Sequence, residues 1–192
     1  AHQGRTGPCC DALIQAGITR VVVSVIDPNP LVAGQGIARM QAAGVKVELG
    51  LLGDQAQDLN LGFFKRMTQG TPWMRLKVAQ SLDGHTALTN GVSQWLTGAL
   101  ARADGHAWRA RACAILTGMG TVRQDNPLLN VRDVNTPRQP DLWVIDSRLE
   151  TPLDAALWSV PRRLFLVHAE RHAEREAALR DQGATLLALP NP

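Results

Sequence analysis

Arg20-Val-Val-Val-Ser-Val-Ile26, followed at once by Asp27-Pro-Asn-Pro30, is the stretch on which the fold turns. A continuous β-branched run of this kind predicts a buried strand, and the two prolines predict the turn that stops it. Its neighbours are then expected to be helices. Leu31 to Ala43 has helical composition and ends at Gly44, a natural C-cap, after which Val45-Lys-Val-Glu-Leu49 alternates like a second strand. Gly53-Asp54 opens the next helix with Asp54 as its N-cap. Ala56, Leu59, Phe63, Phe64 and Met67 recur along it at helical spacing up to Thr68-Gln-Gly-Thr-Pro72.

That Gly/Pro-containing stretch is the best linker in the chain and predicts a domain boundary, with one domain over 1–70 and another over 73–192. The pattern resets after it. A strand is predicted over Met74 to Ala79, a helix over Thr97 to Ala112, and strands over Cys113 to Thr117, Leu142 to Asp146, Leu164 to His168 and Thr185 to Leu189. A further helix is expected from about Ala169 to Gln182. Strands alternating with helices mean an α/β fold, with a largely parallel sheet covered by helices.

Composition narrows the function. The 192 residues are 45% apolar and 19% charged, which suits an ordinary globular chain and excludes bulk disorder. No uncharged apolar run approaches the ~18 residues that cross a bilayer, and the first residues lack a basic-then-apolar signal pattern. No membrane association or secretion is therefore expected. The net charge of +3 comes almost wholly from arginine, since Lys46, Lys65 and Lys77 are the only lysines. Planar guanidinium groups suit phosphate and carboxylate recognition. They are scattered here, and aromatics are only 4%, so the basic stripe with stacking platforms of a nucleic-acid binder is missing. Small anionic ligands are expected instead. An odd cysteine count, Cys9, Cys10 and Cys113, gives no disulfide framework and favours a reducing, cytoplasmic compartment.

Several motifs carry chemistry. Gly7-Pro-Cys-Cys10 places cysteines at a helix start, where the helix dipole and a metal both favour the ionised sulfur. On spacing alone, the pair reads more readily as two small buried hydrophobes. His168-Ala-Glu170 and His172-Ala-Glu174 spell half of a zinc-deaminase signature but follow the cysteines rather than precede them, and a helix start after a strand explains them. Thr117-Gly-Met-Gly-Thr-Val122 leaves a strand for a helical turn, a geometry that favours phosphate, although it lacks the third glycine of the dinucleotide fingerprint. Lys77 and Ala79 would share one face of the strand that precedes Ser81-Leu-Asp-Gly84. Read alone, Lys77 is a snorkelling surface charge, Arg109 a solvated helix face, Trp95 core, and Asp125-Asn-Pro127 a helix terminator.

Taken in order, these motifs resemble a known family. Gly4-Arg-Thr-Gly-Pro-Cys-Cys-Asp-Ala-Leu13, the run through Pro30 and Leu61-Gly-Phe-Phe-Lys-Arg66 resemble the end of the deaminase domain of the bifunctional riboflavin-biosynthesis deaminase/reductases. Leu76 to Gly84, Ser93-Gln-Trp95, Ala114 to Thr117, Thr121-Val122, Asp125-Asn-Pro127 and Val144-Ile-Asp-Ser147 resemble their reductase domain. The resemblance implies the C-terminal part of a cytidine-deaminase-like α/β domain followed by the first part of a dihydrofolate-reductase-like α/β domain. It implies zinc-dependent deamination of a phosphoribosylaminopyrimidine, then NADPH-dependent reduction of the ribosyl side chain.

The same resemblance assigns residues. Cys9 matches the second zinc cysteine, which places the first cysteine, the metal-binding histidine and the catalytic glutamate upstream of Ala1. One of three zinc ligands and no deaminase catalytic residue are then expected here, and the end of the reductase is expected beyond the chain. Ala79, Trp95, Thr121, Asp125 and Ser147 match positions at NADPH. Lys77, Ser93, Arg109 and Arg132 match positions at the phosphorylated pyrimidine substrate. A homo-oligomer that binds neither nucleic acid nor membrane is expected. Two other readings stand beside this one, a reductase-only enzyme with a vestigial deaminase segment and a non-catalytic nucleotide-binding domain.

Overall fold

The computed structural model describes residues 4–93 and 95–189, so Gln94 of the Ser93-Gln-Trp95 motif lies outside the described residues. The β-branched run does form a strand, but a shorter one. Strand β1 is Arg20–Val23, and it pairs in parallel with β2, Lys46–Leu49, from Arg20↔Lys46 to Val23↔Leu49. It is not buried on both faces: Val22 is 40% exposed while Val21 and Val23 are half-buried. Among the described residues β2 is its one strand neighbour. The face that is covered packs on Cys10 of helix α1 (Cys9–Gln15) and Met40 of helix α2 (Gln35–Ala42), with Leu13, Ile14, Ile37 and Val45 filling the small core.

Helix α2 begins four residues later than its composition suggests, because Asn29 caps the turn before it and Gly34 enters through the left-handed region at φ 70°. The long amphipathic run after Gly53 is two helices, α3 (Gly53–Leu59) and α4 (Leu61–Gln69), broken at Asn60, where φ is −125°. Asp54 is not the N-cap. Leu52 holds that place with φ 55°, and Asp54 sits in the first turn instead.

The chain divides into two compact units, Ala1–Leu76 and Lys77–Pro192, a few residues beyond the Gly/Pro linker. In the second unit, helix α5 (Ala99–Arg111) leads into strand β3 (Ala114–Gly118), then α6 (Met119–Asp125), β4 (Asp141–Ile145), a short 3-10 turn (Ala156–Ser159), β5 (Leu164–His168), α7 (Ala173–Asp181) and β6 (Ala184–Ala188). All four strands run parallel in the order β3-β4-β5-β6. The core lies on the sheet. Leu142, Val144 and Leu166 are fully buried and pack with Val122 of α6, Leu179 of α7, the loop residue Leu149 and Leu157 of the 3-10 turn.

The strand expected over Met74 to Ala79 is not formed. Residues 72–80 are irregular, with Met74, Leu76 and Val78 exposed at 66%, 88% and 51%. Apolar composition alone does not make a strand; a ladder partner is also required. Here no strand lies alongside this segment among the described residues. Ser81-Leu-Asp-Gly84 is a tight turn, closed by Gly84 N–H to Ser81 O at 3.0 Å, and Gly84 has φ 85°. No described helix is long and apolar enough to cross a membrane.

Candidate functional site

Helix α6 cannot continue past Asp125 because Pro127 follows, and Asn126 leaves it in the left-handed region at φ 39°. The connection to β4 is then held almost entirely by side chains. Arg162 donates to Leu128 O at 2.5 Å and to Leu129 O at 2.6 Å, and Arg109 donates to Asn130 O at 2.6 Å. Gln139 brackets Val131, accepting from its N–H at 2.7 Å and donating to its carbonyl at 2.9 Å. Arg132, exposed in the middle of this loop, donates to the Asn130 side-chain oxygen at 3.0 Å.

His106 lies one helical turn before Arg109 on α5, and only 5% of it is exposed. Its Nε2 is 3.3 Å from the Asp133 carboxylate and its Nδ1 is 3.4 Å from the Arg109 guanidinium. Burial, then the charges of Arg109 and Arg132, lower its pKa, with Asp133 and the Asn130 backbone opposing them. A neutral ring that donates from Nε2 to Asp133 and accepts at Nδ1 from Arg109 satisfies both contacts. Burial also lowers the Arg109 pKa, followed by the charge of Arg132. Arg162 is pushed down to about 10 by burial and by Arg109, and so remains charged. Three guanidinium groups thus converge on one loop, and the Asp133 carboxylate acts on Arg109 and His106. An arrangement of like charges held by desolvating contacts is suited to an anion that would relieve the repulsion.

A second region lies at the carboxyl ends of the strands. Gly118 and Gly120 flank the β3-to-α6 turn, and a Cβ built on either meets nothing within 4 Å. Thr121 and Asp125 are exposed on α6, and Ser147 is exposed just after β4. Asp146, 1% exposed, holds the Ser147 turn by accepting from Glu150 N–H, Thr151 N–H and the Thr151 hydroxyl at 2.8, 2.8 and 2.6 Å. An open, backbone-lined turn beside the carboxyl ends of parallel strands fits the pyrophosphate of a dinucleotide.

The structure therefore brings Arg109 and Arg132 together and sets Thr121 and Ser147 beyond adjacent strands. It does not gather the rest. Lys77, Ala79, Ser93 and Trp95 stand on the irregular stretch before α5, where Lys77 and Ala79 cannot share a strand face because no strand forms. Trp95 is not core but 65% exposed, with the Arg102 guanidinium 4.5 Å over its ring. Sequence reasoning missed His106, Asp133, Gln139 and Arg162. The i,i+3 spacing of His106 and Arg109 was a usable signal, whereas Arg162 is remote in sequence from the loop it holds.

Cys9, the first residue of α1, is exposed, and Cys10 is the buried small hydrophobe of the pair. Among the described residues no three His, Cys, Asp or Glu side chains come together, so the residues present do not fit a zinc ion. His168 is 2% exposed at the end of β5, its Nδ1 2.8 Å from Glu170 O, and His172 precedes α7, as the strand-then-helix reading requires.

A family described as the RibD C-terminal domain matches residues 72–189. The riboflavin biosynthesis protein RibD of Aquifex aeolicus is 40% identical over 188 residues, covering 98% of this chain and 53% of the relative. That of Escherichia coli is 50% identical over 160 residues, covering 77% and 44%. Among solved structures, Acinetobacter baumannii RibD superposes with a TM-score of 0.87 at 42% identity, over 100% of this chain and 54% of that one. A diaminohydroxyphosphoribosylaminopyrimidine deaminase/5-amino-6-(5-phosphoribosylamino)uracil reductase from Thermotoga maritima gives 0.82 at 30% identity, over 98% and 58%. The chain spans about half the length of these relatives.

Proposed function

The chain belongs to the RibD C-terminal domain family, and we propose from that premise that its second unit forms the phosphate-binding part and one wall of the cofactor cleft of an NADPH-dependent reductase in riboflavin biosynthesis. The observation that carries this reading is the meeting of Arg109 and Arg132 at Asn130, the first on its carbonyl and the second on its side chain. Two guanidinium groups so placed suit the phosphate of a phosphoribosylaminopyrimidine.

NADPH, when bound, would supply the hydride for reducing the C=N carbon of the ring-opened sugar, with a proton from solvent balancing the addition at nitrogen. The work of this chain is binding and orientation. Arg109 and Arg132 fix the phosphate end of the substrate, so that the sugar carbon is held at one distance from the cofactor. Thr121 and Ser147 lie beside the open turn read as the dinucleotide site, and Asp125 closes the far end of α6; Lys77, Ala79, Ser93 and Trp95, on the irregular segment before α5, are assigned to the same ligands by the family resemblance alone. In the first unit, Cys9 is read as one zinc ligand of a cytidine-deaminase-like domain whose other ligands lie elsewhere in the complete protein.

The test is NADPH oxidation by the complete protein with the authentic phosphoribosylaminouracil. Substrate-dependent oxidation is expected, with Thr121→Ala and Asp125→Ala raising the KM for NADPH and leaving deamination alone. No oxidation would favour a non-catalytic nucleotide-binding domain, and equal loss of both activities would make Thr121 and Asp125 folding residues.

A further inference from the structure

Four consecutive carbonyl oxygens, those of Leu128, Leu129, Asn130 and Val131, are met by side chains instead of a strand ladder. Two of the four belong to Arg162, which sits two residues before β5 and so ties the loop to the start of that strand. One of them is the carbonyl of Leu129, whose φ of 50° is uncommon for a branched residue and persists only where its surroundings fix it. Arg162 makes this clamp at a cost. Its Nε is buried without a hydrogen-bond partner, and its charge lies close enough to Arg109 to be destabilised by it. Buried unpaired donors are rare in folded proteins, and one is retained here on a group whose other nitrogens both hold the same loop.

We infer that Arg162 is a positioning residue for anion recognition: by clamping Leu128 and Leu129 it fixes the backbone that carries Asn130 and Arg132, and through Asn130 the place of Arg109, without touching the ligand. The inference rests on the reading of Arg109 and Arg132 as the phosphate site. A third positive charge would strengthen an anion site whatever group supplied it. Holding two adjacent carbonyls at once requires the planar fork, and an ammonium reaches only one of them in a fixed direction. The two roles therefore separate by chemistry.

The experiment compares Arg162→Lys, Arg162→Gln and Arg132→Ala in the complete protein, measuring kcat, the KM for the phosphorylated pyrimidine, the KM for NADPH and amide exchange over residues 128–132. Both Arg162 variants are expected to raise the substrate KM roughly tenfold and to speed exchange in the loop, with kcat and the NADPH KM within about twofold of the parent. Restoration of the parent KM by Arg162→Lys would show that charge suffices and overturn the inference, as would an unchanged KM in both variants. A parallel rise in the NADPH KM with loss of kcat would also overturn it, since that is the signature of general misfolding. If Arg132→Ala raises the substrate KM while the Arg162 variants do not, only the positioning role falls. If Arg132→Ala leaves it unchanged, the phosphate site falls and takes this inference with it.

Discussion

His106 shows how a single protonation state can hold a cluster of arginines together. As a neutral ring it donates to Asp133 and accepts from Arg109; once protonated it would present a second N–H and a positive charge to that guanidinium. Its pKa is lowered by burial, then by Arg109 and Arg132, against the opposing Asp133. The unfolded chain, with an ordinary value of about 6.5, therefore takes up the proton first as pH falls. The stability tied to neutral His106 is complete above about pH 6.5 and is lost as pH falls through the lower folded-state value. Thermal unfolding should accordingly show a midpoint that falls as pH drops below about 6.5, and His106→Asn should flatten that limb. Superimposable profiles for parent and variant would rule this out. Of these residues, Arg109 and Arg132 were legible only by resemblance, since composition leaves them as surface charges. His106 and Asp133 gain their meaning from a contact between α5 and a loop that no local pattern announces.

At the scale of the elements, the sequence was most informative where burial is continuous. Leu164-Phe-Leu-Val-His168 forms β5 with the expected bounds because three of its four apolar side chains are buried in the middle of a parallel sheet. Leu166→Ala there should cost about 2–5 kcal/mol, while Leu187→Ala on edge strand β6, 36% exposed, should cost much less. Hydrogen exchange of the β4 and β5 amides reads the difference directly, and similar losses at both positions would contradict the assigned core. The misread elements share a physical cause. Met74 to Ala79 has strand composition but no strand beside it among the described residues, and the run from Gly53 to Gln69 has one helical period but is interrupted by Asn60, whose side chain turns back to Ala56 O at 3.0 Å. Local pattern reports propensity, and both outcomes depend on what the backbone finds to bond with.

On the scale of the whole molecule, the order of the motifs told more than any one of them, and it named the family before any contact was known. Geometry then divided the two halves unequally. The second unit holds a built cluster of cations, whereas the first offers an exposed Cys9 without companion ligands among the described residues. Zinc should therefore be removed from this chain by dialysis yet be retained stoichiometrically by the complete protein, and metal analysis of both checks it; tight zinc in this chain would contradict the ligand assignment. The central claim is that the cations gathered on the loop before β4 grip the substrate's phosphate. Substrate and NADPH titrations of the complete protein carrying Arg109→Ala or Arg132→Ala test it most directly. Each variant should weaken substrate by roughly 1.5–3 kcal/mol with NADPH binding unchanged, and lysine at either position should restore only part of the loss. Unchanged substrate affinity in both variants would contradict the account.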